Sequence, residues 1–353
     1  MSEQAGVEAD VLPLKRVGIF GAGTAQGIEL MRVSSMHPMF ELAFVADEFL
    51  SGTAVRERFP GLAINVRGSF VDPDPQLVDS VDLVFCALDD ADAALLIPAI
   101  LKHKPDARIV DLSSWFKPAD RDLFERISGK RHPAPQLVER FCYGISDREL
   151  APIAAATCVS VPSALAQSLL IALEPLAREG VLRGRVCASA LLGAPEARPM
   201  PGTCISPSVS ANRPLSHPAA LEVLGRLAQV TPNAAPSVEV QLVPVHAPHM
   251  QGCYATVFIE LSEQLTLGTM DELLKRYYDN ALFVRQLGSP PELAGVLGSN
   301  RAHFSIRVAD QTLVANVALD TLGRGGAQHA IELANIMLRL PEEAGLMFAG
   351  MSQ

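Results

Sequence analysis

Short blocks of continuous apolar residues alternate with stretches of helical spacing through the first 160 positions. Residues 16–20 form one apolar block. It runs into a glycine-rich turn at 21–27, and a helical pattern begins at Ile28. Further apolar blocks stand at 40–46, 81–88 and 108–112, with helical spacing at 91–101. Strands apolar on both faces lie inside a sheet. Their alternation with helices predicts parallel strands covered by helices on both sides. Residues 1–14 read as a loose tail.

The second half has another texture. Strands are predicted at 185–192, 238–245 and 253–261, and paired strands at 304–308 and 312–319 around Ala309-Asp310-Gln311. Helices are predicted at 218–227 and within 270–287, and the proline- and serine-rich stretch 199–214 reads as a long loop. Strands separated by irregular segments predict an α+β unit. A last helix, 325–338, has a glycine-rich entry and an apolar body, so it is expected to pack back onto the first sheet. Residues 151–173 carry no charge, but Pro152, Ser160, Pro162, Ser163, Gln167 and Ser168 interrupt them. A strand over 154–161, a turn and a buried helix account for this stretch better than a membrane span.

Composition narrows the function classes. The 353 residues suggest about two domains. Hydrophobic residues make up 49% and charged residues 19%, against an average of about 25% charged. That leaves a large core and excludes general disorder. The net charge of −10, with no basic run, argues against nucleic-acid binding. Six cysteines, at 86, 142, 158, 187, 204 and 253, stand singly, with no metal-type spacing. No metal site is expected, and the chain reads as reduced and cytoplasmic. The first ten residues hold three acids and no base, unlike a secretory signal.

The 21–27 turn carries the first chemistry. Gly21, Gly23 and Gly27, with Thr24, Ala25 and Gln26 between them, connect a strand to a helix. Glycines let the backbone turn tightly and approach a pyrophosphate, and the helix start offers free N–H groups to the anion. The spacing differs from the common dinucleotide fingerprint, and a plain strand-to-helix turn is the alternative. Asp47 falls at the end of the second strand, twenty residues after Gly27. An acid there hydrogen-bonds ribose hydroxyls and repels a 2′-phosphate. NAD is therefore expected ahead of NADP, the alternative for Asp47 being a solvated loop acid.

Several segments together resemble N-acetyl-γ-glutamyl-phosphate reductase and its relative aspartate-semialdehyde dehydrogenase, the reductase branch more closely. They are the glycine-rich turn with Glu29-Leu30; His37-Pro38-Met39-Phe40-Glu41-Leu42; Val84-Phe85-Cys86-Ala87-Leu88; and Asp111-Leu112-Ser113-Ser114-Trp115-Phe116-Lys117. Then come Tyr143-Gly144-Ile145-Ser146-Asp147, Pro244-Val245-His246-Ala247-Pro248 and Asp320-Thr321-Leu322-Gly323-Arg324-Gly325-Gly326-Ala327. The resemblance implies a Rossmann-type dinucleotide-binding domain, 15–160 plus 325–353, and an α+β semialdehyde-dehydrogenase-like substrate and dimerisation domain, 161–324. It implies homodimers or homotetramers, a place in amino-acid biosynthesis, and an acyl phosphate or semialdehyde as substrate. It adds Leu88, Ser113 and Asp320 to the cofactor-binding residues. In the family's reaction a cysteine thiolate attacks the acyl phosphate, a hydride reduces the thioester, and a histidine moves protons.

The thiol is missing from its expected place. The family nucleophile precedes a helix that ends in an aliphatic–Pro–Leu signature, here Leu173-Glu174-Pro175-Leu176. Counting back puts Ala164 on the cysteine. Cys158, six residues earlier, is a candidate substitute, with a buried small hydrophobe as the alternative. Ser163 is another, though its ester would be a poor hydride acceptor and helix capping is its plainer role. His217 lies near the reductase branch's acid–base histidine, and His249 at the dehydrogenase branch's; each also reads as a surface or loop histidine. Thr321 and Gln251 depart from the family's asparagine and arginine. The expected function is an NAD(P)-binding family member lacking the thiol-dependent reduction. The alternatives are an active acyl-phosphate reductase using Cys158, and hydride transfer without a covalent intermediate.

Overall fold

The computed structural model describes residues 13–118, 125, 131–193, 210–211, 215, 217–231, 238–247, 251–261 and 266–351. His249 and most of the 199–214 stretch lie outside the described residues.

Six strands form the first sheet: β1 Lys15–Phe20, β2 Phe40–Ala46, β3 Leu83–Cys86, β4 Ile109–Asp111, β5 Phe141–Tyr143 and β6 Cys158–Ser160. Their order is β2-β1-β3-β4-β6-β5, and every pairing is parallel. Because side chains alternate across a strand, the sheet feeds two cores. Val17, Ile19, Phe85, Val110 and Val159 pack with α1 Ala25–Ser34, with Ile153 of a short helix, and with the chain's last helix. Phe20, Val84, Cys86, Ile109 and Cys158 pack on the other face against α2 Asp90–His103. The short helix is α3 Leu150–Ala155, so the expected strand over 154–161 shrinks to the three residues of β6.

Past β6 come α4 Ala164–Arg178, β7 Leu182–Leu192, β8 Ser210–Ala211, α5 Pro218–Val230, β9 Glu239–His246 and β10 Cys253–Leu261. Then follow α6 Leu267–Tyr278, β11 Val284–Gln286, β12 Ala302–Ala309, β13 Thr312–Leu319 and α7 Ala327–Met337. The second sheet runs β11-β12-β13-β10-β7-β9-β8, with antiparallel pairing at its centre. Its inner face, including Val186, Ala188, Ala255, Val257 and Val317, packs with residues of α4, α5 and α6. The register puts Leu191, Tyr254 and Val245 together on the opposite face, with Phe258 and Val314 beside them. Leu191 and Phe258 are exposed there.

The last helix, α7, does not stay with this second sheet. Ala330, Ile331, Leu333 and Ala334 belong to the core of the first sheet, and Gln328 Nε2 donates to Glu29 Oε1 of α1 at 2.8 Å.

Candidate active site

The carboxyl edge of the first sheet holds the chemistry. Gly21 has φ +73°, and a Cβ there would lie 2.4 Å from the Ala87 carbonyl oxygen. A Cβ on Gly27 would lie 2.2 Å from the Gly21 oxygen. Both positions need glycine so that loop, helix and β3 can close together. The Thr24 hydroxyl accepts the Gly27 N–H at 3.0 Å, capping α1, and is within 3.0 Å of the Ala87 carbonyl. The Ala25 N–H, first in the helix, has no acceptor among the described residues. A helix start with a free N–H fits a phosphate group. Gln26 ties the loop to the far end of the chain: its Nε2 donates to the Thr321 carbonyl at 3.1 Å, and its Oε1 accepts the Ala327 N–H at 2.8 Å.

Beside the loop is a cavity of about 400 Å³ lined by Gly21, Asp47, Leu88, Asp72, Asp92 and Leu95, among others. The cavity and the free N–H together make the residues present a fit for a dinucleotide. Asp47 is buried. Its Oδ2 accepts the Gly23 N–H and its Oδ1 the Phe49 N–H, each at 3.1 Å.

Further along the edge, Phe20, Cys86, Asp111 and Ser160 stand in one row across β1, β3, β4 and β6. Ser113 bonds back to Asp111 through its N–H and hydroxyl, at 3.0 and 2.8 Å. Burial pushes the Asp111 carboxyl up to about 6, against the lowering effect of these bonds and of Lys117. At the start of α4, Ser163 is the N-cap: its hydroxyl accepts the Ala166 N–H at 3.3 Å and donates to Glu222 Oε2 at 2.6 Å. Glu222, buried on α5, also accepts the Ser163 N–H at 2.9 Å and the Tyr143 hydroxyl at 2.8 Å. Burial, and then Glu222, hold the Tyr143 phenol well above its usual range. Lys117 Nζ stands 4.0 Å from Glu222 and makes no hydrogen bond among the described residues.

The structure brings Ser163, Ala164 and the glycine-loop elements together. The Ala164 methyl abuts Gly325, where a Cβ would lie 2.5 Å away, and Gly326 abuts Gln26. His217 caps α5, its Nδ1 accepting the Ala219 N–H at 3.2 Å, on the helix that carries Glu222. Cys158 is not brought to this edge. It pairs with Ile109, two residues back from the Asp111–Ser160 row, or about 7 Å along the strand. It is fully buried on the α2 face, and burial pushes its thiol up. Asp320 is buried and folds its own loop, accepting from the Gln251 side chain and from the Leu322 and Gly323 N–H groups at 2.8 and 3.1 Å. Thr321 Oγ1 accepts the Gly252 N–H at 3.3 Å.

Lys117, Tyr143 and Glu222 escaped assignment from the sequence. The first two lie inside resembling segments, which was the available signal. A second buried group escaped too. Arg324 is bound by Glu332 at 2.6 Å and Asp147 at 2.8 Å, and a hydrogen-bonded run Ser146–His329–Gln167 leads from it to the first turns of α4. Burial holds His329 well below the usual imidazole range.

A glycine-loop α/β domain joined to a sheet-and-helix domain defines a class of two-domain, dinucleotide-binding proteins. Within it, the chain belongs to the semialdehyde dehydrogenase family: residues 16–171 match the model "Semialdehyde dehydrogenase, NAD binding domain" and 165–321 match "Semialdehyde dehydrogenase, dimerisation domain". It is 32% identical over 341 residues to an N-acetyl-gamma-glutamyl-phosphate reductase of Alkalilimnicola ehrlichii, covering 94% of this chain and 97% of that one. It is 31% identical over 342 residues to a reductase of the same name from Neisseria meningitidis, covering 94% and 96%. Its fold is similar to that of aspartate semialdehyde dehydrogenase II complexed with ASA from Vibrio cholerae, with a TM-score of 0.69, 13% identity, and 92% and 98% of the two chains covered. It is also similar to aspartate semialdehyde dehydrogenase with NADP from Candida albicans, with a TM-score of 0.63, 13% identity, and 92% and 98% covered. No helix among the described residues is long and apolar enough to cross a membrane.

Proposed function

We propose that the chain is an NAD-binding member of its family that does not carry out thiol-dependent acyl-phosphate reduction. The observation that carries this reading is the methyl of Ala164, at the start of α4 and against Gly325. That is where the resemblance calls for a sulfur. A methyl forms no thioester, and the thiolate is both the attacking group and the atom that makes the acyl group reducible. Cys158 supports no substitute role: it is buried two residues back from the carboxyl edge with its thiol pushed up. The Ser163 hydroxyl is occupied by helix capping and by Glu222.

Ala164→Cys tests the reading. The helix start lowers a thiol's pKa, so the new cysteine is expected to alkylate at least tenfold faster than any native one. The wild type is expected to consume no acyl phosphate with NADH or NADPH. Wild-type turnover abolished by Cys158→Ser would overturn the proposal.

A second reading, hydride transfer to a carbonyl without a covalent intermediate, is favoured by Lys117. Its buried ammonium faces Glu222 with its N–H donors unused among the described residues. Such a group can hold a carbonyl oxygen and supply its proton. Lys117→Met is then expected to abolish any NADH-dependent carbonyl reduction while leaving NADH binding unchanged. Oligomerisation as a homodimer or homotetramer, in the cytoplasm, belongs to the same proposal. It is supported by the dimerisation-domain match and by the exposed Leu191 and Phe258 on the uncovered sheet face.

A further inference from the structure

We propose that the choice between NAD and NADP is made by three carboxylates, Glu48, Asp72 and Asp92, and that Asp47 acts as a positioning residue for the glycine loop. The inference rests on the dinucleotide reading above and assigns its specificity. Asp47 is 2% exposed and spends its oxygens on backbone: Oδ2 on the Gly23 N–H and Oδ1 on the Phe49 N–H. A Cβ on Gly23 would lie 2.7 Å from Oδ2, so the loop sits directly on this carboxylate. The Gly21 and Ala22 N–H groups bond to the neighbouring Ala46 carbonyl at 2.9 and 3.0 Å, which completes the pin.

The three other acids enter the same cavity from separate elements. Glu48 follows β2, Asp72 follows the bridge between Ala46 and Val71, and Asp92 is in the first turn of α2. Asp89 already caps that helix, accepting the Ala91 and Asp92 N–H groups. Leu95, Leu96 and Pro73 give the cavity an apolar wall, and among the described residues no lysine or arginine lines it. Ribose hydroxyls can donate to such carboxylates. A 2′-phosphate brings close to two negative charges and acceptor oxygens only. Glu48 and Asp72 are exposed and Asp92 half-buried, and repulsion from acids that reach solvent is screened by salt, which gives the proposal a second signature.

The test is equilibrium titration of the full chain with NADH and NADPH, followed by protein fluorescence, alongside thermal melts. The triple variant Glu48→Gln/Asp72→Asn/Asp92→Asn is expected to bind NADPH at least tenfold more tightly than the wild type does, and the ratio of NADPH to NADH affinity is expected to rise at least tenfold. Raising salt is expected to narrow the wild type's preference. Asp47→Asn is expected to weaken both dinucleotides alike and to lower the melting temperature. The proposal is overturned if the triple variant leaves the preference unmoved. It is also overturned if Asp47→Asn alone equalises the two dinucleotides at an unchanged melting temperature. A wild type that binds neither dinucleotide removes the underlying cofactor reading, and this proposal with it.

Discussion

The two ends of the first sheet's carboxyl edge encode function differently. At the glycine loop the requirement is written in backbone. Gly21 and Gly27 are held so closely by Ala87, Ala22 and Gly21 itself that a single Cβ has nowhere to go. At the start of α4 the proposed reading turns on one side chain, the Ala164 methyl packed against Gly325. Around Ala164, the cap, Glu222, Tyr143 and Lys117 remain in place. The first kind of site cannot lose its chemistry without losing its fold. The second can, so an intact scaffold at residue 164 says nothing about turnover.

This comparison predicts unequal responses to mutation. The largest is expected at Gly27→Val. A Cβ 2.2 Å from a backbone oxygen forces the loop open, costing about 3 kcal/mol, the upper end for overpacking. NADH binding should vanish; a denaturant titration and an NADH titration check both. A smaller loss, about 2 kcal/mol, is expected for Glu222→Ala, which strips the acceptor from the Ser163 N–H and hydroxyl and from the buried Tyr143 hydroxyl. NADH affinity should stay within twofold. A fall in NADH affinity alongside stability would break the separation between the two ends.

The third prediction is read as a pH slope and concerns Glu342, beside Glu332 and Arg324. Burial, then Glu332, pushes its carboxyl up to about 8, against the opposing pull of Arg324. Between the ordinary carboxylate value and about 8, the unfolded chain releases a proton that the folded chain keeps. Stability therefore falls as pH rises from about 5 to 8 and levels off above. Glu342→Gln, which imitates the protonated form, should flatten that slope in melts taken across the range.

Much of the fold was legible because its signals are local. The strand expected at 40–46 is β2 to the residue, and the 312–319 strand is β13. The 154–161 expectation failed because Ala154-Ala155-Ala156 has no periodicity to separate a buried strand from a buried helix; the structure ends α3 there. The site was legible only in part, for a different reason. Glycine spacing is visible along the chain, whereas Glu222 meets Ser163 across 59 positions and Tyr143 across 79. Gln251 and Thr321 looked like two separate departures from the family pattern. In space they belong to one knot around Asp320 and Gly252, and the pair has to be read together.

The return of α7 to the first sheet has a consequence for how the molecule is made. A ribosome synthesises β1 through β6 long before residues 327–337, yet Ala330, Ile331, Leu333 and Ala334 pack onto that sheet beside α1. Until they arrive, the nascent sheet shows an apolar groove to its surroundings, with the whole second sheet still to be built. Contacts of such sequence separation close slowly, and exposed apolar surface on a waiting intermediate invites association. The order of synthesis makes the first domain begun the last one finished, so the emerging chain is at its most vulnerable to aggregation just before its final helix docks.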